Sequence, residues 1–285
     1  MNIGWIGTGI MGGAMMCHLL QEGHRVYAYN RTKEKALAYE KDGAVICDTI
    51  KDCVEQAEVI FTMVAYPKDV EEVFQMIFAN AKAGSIAVDM TTSSPTLAMH
   101  LYEQGKEKHI HVLDAPVSGG DSGAKAGTLS IMIGGDPDAF KQVSQLLEVM
   151  GTPHYMGRAG AGQHTKACNQ ICVAGAVSAL SEAIHYARVN RLDEKKMLEA
   201  IAKGAAGSWQ IDHTAPRILT KDFKPGFFIK HFIKDMHIIQ EVMNDHAEHL
   251  QMLDSVCGIY EELAKQGYEN DGTQSLIRYY EDQKK

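Results

Sequence analysis

The strongest indication of the fold lies in residues 1–12, Met1-Asn2-Ile3-Gly4-Trp5-Ile6-Gly7-Thr8-Gly9-Ile10-Met11-Gly12. Ile3–Ile6 form an apolar run of strand length, and Met11–Glu22 continue with the periodicity of an apolar helix. The glycines between them allow a tight turn, a close approach of a ligand to the backbone, and close packing of helix on strand. The first N–H groups of the helix can then receive phosphate oxygens. The sequence therefore predicts a nicotinamide dinucleotide site made by Gly7, Thr8, Gly9, Ile10, Met11 and Gly12.

The first half of the chain continues as an alternation of strands and helices. Apolar and often β-branched runs predict strands at Ile3–Ile6, Arg25–Tyr29, Val59–Val64, Ser85–Asp89, His111–Leu113 and Thr128–Ile133. Helical periodicity predicts helices at Met11–Glu22, Lys33–Lys41, Pro67–Phe78, Ser94–Lys108 and Pro137–Val149. Such alternation predicts an α/β Rossmann domain, in which a doubly wound, mostly parallel sheet is covered by helices on both faces.

After Gly160-Ala161-Gly162 the pattern becomes helical, with almost no strand signal. Long helical patterns cover roughly 163–190, 193–203, 208–219, 230–248 and 250–266. We therefore expect a dinucleotide-binding domain at residues 1–161 and an all-helical substrate and oligomerisation domain at residues 162–285. The active site is expected in the cleft between these domains.

Composition and charge exclude several classes of function. A net charge of −8, with no block of Lys or Arg, argues against a nucleic-acid surface. The apolar segment Ile171–Ala187 contains Ser, Glu and His and is short for a bilayer crossing, so we expect a buried helix and no membrane. Six cysteines without a Cys-x-x-Cys pair, in a chain that begins directly on a strand, indicate a cytoplasmic protein with reduced thiols. The thirteen histidines include no His-Glu-x-x-His, and no metal site is expected.

The end of the second predicted strand bears on which dinucleotide binds. NAD sites usually place a carboxylate there for the ribose 2′-hydroxyl, whereas this chain has Asn30. Arg31 follows and can pair with a phosphate, and Thr32 adds a hydroxyl donor. These residues favour NADP over NAD, and use of both stays open, as does a purely solvent-exposed role for Arg31.

Two further segments have the residue types of a reacting site. Ser118 offers a hydroxyl, and Gly119-Gly120 leave backbone N–H groups open to a carboxylate at the end of a strand, although a structural turn fits the spacing equally well. Lys166 and Asn169 lie three residues apart in a predicted helix and so share a face. A lysine among Ala, Val, Ile and Cys is costly to bury without a partner, but a surface lysine in the first turns of a helix is a common alternative.

Taken together these segments resemble the β-hydroxyacid dehydrogenase family, which includes 3-hydroxyisobutyrate dehydrogenases, tartronate semialdehyde reductases and glyoxylate/succinic semialdehyde reductases. The resemblance covers essentially the whole chain and rests on Gly7–Gly12, Asp114–Gly120, Gly162 with Lys166 and Asn169, and Ile233–Met236. It implies that Lys166 is the catalytic residue and that the substrate is held by Ser118, Gly119, Gly120 and Asn169. It also implies that the cofactor is contacted by Met63, Val64, Thr92 and Lys234.

The function implied is an NAD(P)-dependent oxidoreductase that moves a hydride between nicotinamide and a small β-hydroxyacid or semialdehyde. Lys166 would serve as general acid and base. Because the ordinary pKa of a lysine is about 10.4, this role requires a lowered pKa. Desolvation and a second cation such as Lys234 would favour its neutral form. The resemblance also implies a homodimer or homotetramer, and Trp209 is expected either in the substrate pocket or in the core.

Three alternatives stay open at this level. A 6-phosphogluconate dehydrogenase shares these motif types, but its chains have a longer helical domain. An imine reductase has the same scaffold and usually lacks the lysine. A non-catalytic nucleotide-binding module would be expected to have lost Lys166.

Overall fold

A computed structural model describes residues 1–282. The chain divides into two compact units, Met1–Lys166 and the part that begins at Ala167, and the division falls within one long helix. The sequence predicts a boundary after residue 161, the residue at which this helix begins.

The first unit contains a nine-stranded sheet and its covering helices. The strands are β1 Asn2–Ile6, β2 Arg25–Tyr29, β3 Val45–Ile46, β4 Val59–Thr62, β5 Ile86–Asp89, β6 His111–Asp114, β7 Val117–Ser118, β8 Leu129–Gly135 and β9 Gly151–Gly157. The helices are α1 Ile10–Gln21, α2 Lys33–Leu37, α3 Ile50–Val54, α4 Pro67–Asn80, α5 Pro95–Glu107, α6 Gly120–Ala126 and α7 Pro137–Glu148, with a 3₁₀ turn at Glu40–Asp42.

Sheet topology confirms the Rossmann prediction. The strand order is β3-β2-β1-β4-β5-β6-β8-β7, with β9 paired to β8. The first six strands are parallel and follow the 3-2-1-4-5-6 order of dinucleotide-binding folds, whose switch point lies between β1 and β4. The strand β8 runs antiparallel to β6 and β7, and parallel to β9.

Burial explains why these strands are so apolar. Every residue of β4 and β5 is buried, because helices cover both faces of the sheet. Two core clusters result. One includes Trp5, Phe61 and Leu113, and the other includes Phe74 and Ile77.

The second unit is helical, as the sequence predicts. The long helix α8 Ala161–Val189 enters it, and the helices that follow are α9 Glu194–Ile201, α10 Ala215–Leu219, α11 Ile229–Asp245, α12 Gln251–Leu263 and α13 Ile277–Asp282. Single turns of other helix types occupy Gln210–Thr214, Ala264–Tyr268 and Thr273–Leu276. Within residues 167–282 the only β pairing is an isolated bridge between Phe228 and Gly272.

Helix α8 is long and apolar enough, by length and composition, to cross a membrane. In its most apolar window 39% of the residues are buried inside the protein. A buried helix of a water-soluble enzyme passes the same test, so the feature alone is weak evidence for a membrane.

Several short elements were not predicted. They are β3, β7, β9, α3, α6 and α13, of which β3 and β7 have only two residues each. The predicted helix Lys33–Lys41 was too long: α2 ends at Leu37, and Gly43 follows the 3₁₀ turn with a φ of 98°. Most of these elements contain too few residues for a period to appear in the sequence. Strand β9 has seven residues, as many as β8, but four of them are exposed, so it lacks the apolar run that predicts a strand.

Candidate functional site

The turn after β1 has the shape that the glycine pattern predicts. Gly7 has a φ of +101°, and its N–H donates to the carbonyl of Tyr29 at 2.9 Å. The buried indole N–H of Trp5 donates to the carbonyl of Gly7 at 2.9 Å, and this hydrogen bond holds the turn in place. A Cβ on Gly12 would overlap that same carbonyl oxygen, so the third glycine is required for α1 to pack against β1.

This turn also fits a dinucleotide. Gly9 is exposed, and an added Cβ there would meet no atom within 4 Å, so the backbone is open to a ligand. The hydroxyl of Thr8 is buried and has no hydrogen-bond partner among residues 1–282, as expected of a polar group that awaits a bound phosphate or water. The backbone N–H of Thr8 already donates to Asn30 Oδ1 at 2.9 Å. Thr8 would therefore contact a phosphate through its hydroxyl.

The end of β2 lies beside this turn, as a dinucleotide site requires. The amide of Asn30 accepts from Thr8 and donates to the carbonyl of Thr32 at 2.8 Å, which makes it a structural link in addition to its predicted position near the ribose. The guanidinium of Arg31 is 83% exposed and forms an ion pair of 3.1 Å with Asp69. Asp69 also accepts from the N–H of Tyr66 at the start of α4.

A buried carboxylate organises the ends of β4 and β5. Asp89 Oδ1 accepts from the hydroxyl of Thr62 at 2.7 Å and from the N–H of Thr91 at 3.1 Å. The hydroxyl of Thr91 then accepts from the N–H of Val64 at 3.0 Å. Burial raises the pKa of Asp89 to about 6, and the nearby charge of Asp114 acts in the same direction. This network sets the course of the segments that contain the predicted cofactor residues Met63, Val64 and Thr92.

A second buried carboxylate anchors the start of α8. Asp114 ends β6, where it is the register partner of Asp89, and its two oxygens accept from the N–H groups of Gly160 and Gln163 at 2.8 and 2.9 Å. Burial raises the pKa of Asp114, and the backbone hydrogen bonds oppose that shift. The side chain of Gln163 in turn accepts from the N–H of Ser93 at 2.9 Å and donates to the carbonyl of Thr91 at 2.8 Å.

Lys166 lies one helical turn after Gln163 and is only 7% exposed. The alternative of an ordinary surface lysine is therefore wrong. Lysine is among the residues that are least often buried, because removing an ammonium group from water is costly. The anchored start of α8 fixes the backbone from which this buried amine extends.

The predicted substrate turn follows a short strand. Ser118 ends β7, which pairs with β8 through Ser130. Gly119 has a φ of +137° and Gly120 a φ of +64°, so both positions favour glycine, and α6 begins at Gly120. Gly119 is exposed at the backbone.

The helical unit brings together two residues that the resemblance assigns, Asn169 and Lys234. The Asn169 amide donates to Gln170 Oε1 at 2.7 Å, and Gln170 Nε2 donates to Asp235 Oδ2 at 2.6 Å. The other oxygen of Asp235 lies 3.1 Å from Lys234 Nζ. All four side chains are at least partly buried, and Asp235 is 3% exposed. These four linked side chains form one polar chain, which joins α8 to α11.

Sequence reasoning missed the supporting residues Asp89, Gln163, Gln170 and Asp235, and it quoted Asp114 without giving it a role. Two signals could have indicated three of these five residues. Asp89 and Asp114 each end a strongly apolar strand, and Gln170 is an amide inside an apolar helix. Polar residues in such positions need partners when they are buried.

One minor expectation needs correction. Trp209 is 57% exposed and its ring stacks on that of His213 with centroids 4.4 Å apart, so packing in the core is wrong.

Comparison with known proteins identifies the family. A model of the NAD-binding domain of 6-phosphogluconate dehydrogenase matches residues 2–172, and a model of the NAD-binding region of NADP-dependent 3-hydroxyisobutyrate dehydrogenase matches residues 160–280. The chain is 48% identical to YkwC of Bacillus subtilis, an uncharacterized oxidoreductase, over 98% of both chains. It is 42% identical to the probable 3-hydroxyisobutyrate dehydrogenase-like protein 1 of Arabidopsis thaliana, over 97% of this chain and 84% of that one.

A solved structure supports the same assignment. The 3-hydroxyisobutyrate dehydrogenase of Mycobacterium tuberculosis, described with L-serine, aligns with a TM-score of 0.89 and 26% identity. The alignment covers 97% of this chain and 98% of that one. The chain therefore belongs to the β-hydroxyacid dehydrogenase family and is an NAD(P)-dependent hydroxyacid dehydrogenase.

Proposed function

We propose that this enzyme interconverts a short β-hydroxyacid and its semialdehyde, with NADP(H) as the preferred cofactor and Lys166 as general acid and base. The relatives named for 3-hydroxyisobutyrate dehydrogenase support this substrate class. So does the L-serine of the related structure, because serine also has a hydroxyl β to its carboxylate.

The observation that carries the role of Lys166 is its burial at 7% exposure on a helix whose start is anchored by Asp114. Desolvation disfavours the charged ammonium relative to the neutral amine, which suits a group that must take up and return a proton at successive steps. A purely structural lysine would normally extend its amine to solvent.

The nicotinamide ring, when bound, supplies or accepts the hydride. The chain's own residues would do the rest. Ser118 and the N–H groups of Gly119 and Gly120 would bind the substrate carboxylate, and this fixes which carbon is presented for reaction. Lys166 Nζ would take the proton of the substrate hydroxyl in oxidation and return it to the carbonyl oxygen in reduction.

Asn169 would orient the reacting oxygen, and its own orientation would depend on Gln170. Since Asn169 donates one N–H to Gln170, its carbonyl oxygen and second N–H are directed by that bond. Lys234 is paired with the buried Asp235, so its net electrostatic effect on other cations would be smaller than that of an unpaired lysine. Lys234 would then serve mainly as a hydrogen-bond donor to the cofactor.

A substrate panel tests the proposal. NADPH and NADH oxidation would be followed by absorbance with methylmalonate, tartronate and succinic semialdehydes, and with a cyclic imine as the rival substrate. We expect turnover with methylmalonate or tartronate semialdehyde, a preference for NADPH, and no imine reduction. Turnover of succinic semialdehyde alone, whose reduction gives a γ-hydroxyacid, would contradict the proposed substrate class. Turnover of the imine alone would establish the imine reductase alternative, and cofactor binding without turnover of any substrate would support a non-catalytic module.

A pair of variants tests Lys166 itself. Lys166→Met should lower kcat by at least about a hundredfold while NADPH binding, measured by fluorescence, is retained. Lys51→Met is the matched control, because Lys51 is exposed on α3 and belongs to none of the predicted site segments. A Lys166→Met enzyme that keeps the activity of the control would refute the assignment.

A further inference from the structure

Three side chains of types that bind transition metals lie together in the helical unit, apart from the residues discussed above. They are His237 on α11, and Cys257 and Glu261 on α12. One nitrogen of His237, the Cys257 sulfur and one carboxylate oxygen of Glu261 all lie within 4.8 Å of one another. In the same group, His237 Nε2 is 2.7 Å from Glu261 Oε1.

The fold creates this cluster from residues that are far apart in sequence. Cys257 and Glu261 are four residues apart, so they project from one face of α12. The facing helix α11 packs against α12 through a shared apolar cluster that includes Met236, Ile239 and Val256. This packing places His237 opposite Cys257 and Glu261.

We propose that His237, Cys257 and Glu261 bind a divalent transition metal ion, and that Zn²⁺ suits the site best. Imidazole, thiolate and carboxylate are all Zn²⁺ ligands, and three protein ligands leave a fourth position for water. Mg²⁺ and Ca²⁺ prefer sites made of oxygen atoms, so sulfur and nitrogen ligands argue against them. One thiolate and one carboxylate together neutralise the two charges of the ion.

The burial of the three residues gives the site an inner and an outer side. Cys257 is buried in the protein interior at 2% exposure and forms the inner side. The side chains of His237 and Glu261 are 51% and 41% exposed and form the outer side. An ion that arrives from solvent would break the 2.7 Å hydrogen bond between His237 and Glu261 and then reach the buried sulfur of Cys257.

Neighbouring side chains also contact Cys257. The thiol donates to Gln240 Oε1 at 3.8 Å, and Gln240 Nε2 donates to Asp254 Oδ1 at 2.8 Å. The bond from the thiol would be lost when a metal ion replaces its proton. Burial, Glu261 and Asp254 together raise the pKa of Cys257 to about 12, so binding must release the thiol proton, and the cation replaces the repulsion between thiolate and carboxylates by attraction.

A bound ion would cross-link α11 and α12. His237 lies one helical turn after Lys234 on α11, so the same helix would hold both the metal ligand and a predicted cofactor residue. An ion that binds only the folded protein stabilises it in proportion to the logarithm of the metal concentration. The competing interpretation is a surface His–Glu pair above a core cysteine, which would bind no metal.

Cobalt titration of the full-length, chelator-treated protein separates these interpretations. A thiolate bound to Co²⁺ gives a charge-transfer band in the near ultraviolet, and Zn²⁺ should abolish that band by displacement. We expect a saturable band of one Co²⁺ per chain. It should be lost in Cys257→Ser, and His237→Gln should bind Co²⁺ more than about tenfold more weakly. His237 is exposed, so that variant is expected to fold even if Cys257→Ser does not.

Matched controls come from exposed residues of the same types. Cys172→Ser and His249→Gln should keep the band and the affinity, because Cys172 and His249 lie outside the cluster. The proposal is overturned if the unmodified protein shows no band at a large excess of Co²⁺. It is equally overturned if the band persists in Cys257→Ser, or if His237→Gln retains full affinity.

Discussion

Replacing Asp89 by asparagine should change how the stability of the enzyme depends on pH. Asp89 is 4% exposed at the end of β5, and burial raises its pKa from an ordinary value of 3.8 to about 6. The folded protein therefore binds this proton more tightly than the unfolded chain does. The contribution of Asp89 to stability is thus greatest when it is protonated, and it is lost as the pH rises from about 4 to about 6.

The size of the effect follows from the shift in pKa. A shift of about two units corresponds to about 3 kcal/mol in the free energy of unfolding, and about half of that is lost between about pH 5 and pH 8. The asparagine of the variant does not titrate, and its carbonyl oxygen can still accept from Thr62 and Thr91. The stability of Asp89→Asn relative to the unmodified enzyme should therefore rise by about 1.4 kcal/mol across this range.

Urea unfolding followed by circular dichroism measures this difference. Titrating groups that lie far from Asp89 cancel when the two proteins are compared at the same pH, which makes the change in the difference the decisive quantity. Asp138→Asn is the control, because hydrogen bonding to Lys141 lowers the pKa of that exposed carboxyl and its difference should stay flat above pH 5. If the Asp89→Asn difference is flat or falls with pH, the burial argument for Asp89 is wrong.

Three further variants test the site. Gly12→Ala should weaken NADPH binding at least about tenfold, because its Cβ would overlap the carbonyl oxygen of Gly7. The control Gly258→Ala, which has open space at its Cβ, should bind NADPH normally. Equal binding by the two variants in a fluorescence titration would contradict the proposed role of the turn. Arg31→Ala should lower kcat/KM for NADPH by about tenfold and leave kcat/KM for NADH nearly unchanged, as expected from the loss of one charged hydrogen bond. Equal losses with both cofactors would show that Arg31 does not determine the preference for NADPH. Gln170→Leu should raise the semialdehyde KM and lower kcat without changing NADPH binding, because the amide of Asn169 would lose its acceptor. Unchanged steady-state kinetics in Gln170→Leu would rule out its positioning role.

The prediction of the first unit succeeded where residues act locally. The glycine turn, the apolar parallel strands and their helices are all encoded by nearest neighbours and short periods, so their positions are close to those predicted. The strands β3 and β7 were missed, because two residues are too few to show a hydrophobic pattern.

The hydrogen-bond partners of the supporting residues could not be predicted from spacing. Asp114 receives N–H groups from Gly160 and Gln163, and Asp235 receives the amide of Gln170, across separations of 46, 49 and 65 residues. Spacing rules describe residues within a few turns of one another, and they contain no information on such contacts. The cluster of His237 with Cys257 and Glu261 escaped detection in the same way.

The amino-acid sequence was sufficient to predict the phosphate turn and the order of an α/β domain followed by a helical domain. It was also sufficient to show that Lys166 lies in a motif that resembles that of a catalytic lysine. Each depends on backbone freedom, hydrophobic periodicity or a short motif. The folded structure was needed to establish that Lys166 is buried, that Asp89 and Asp114 lie side by side, and that Asn169 and Lys234 belong to one polar chain. Burial and electrostatic environment depend on every element that surrounds a side chain, and the folded chain alone fixes which elements those are.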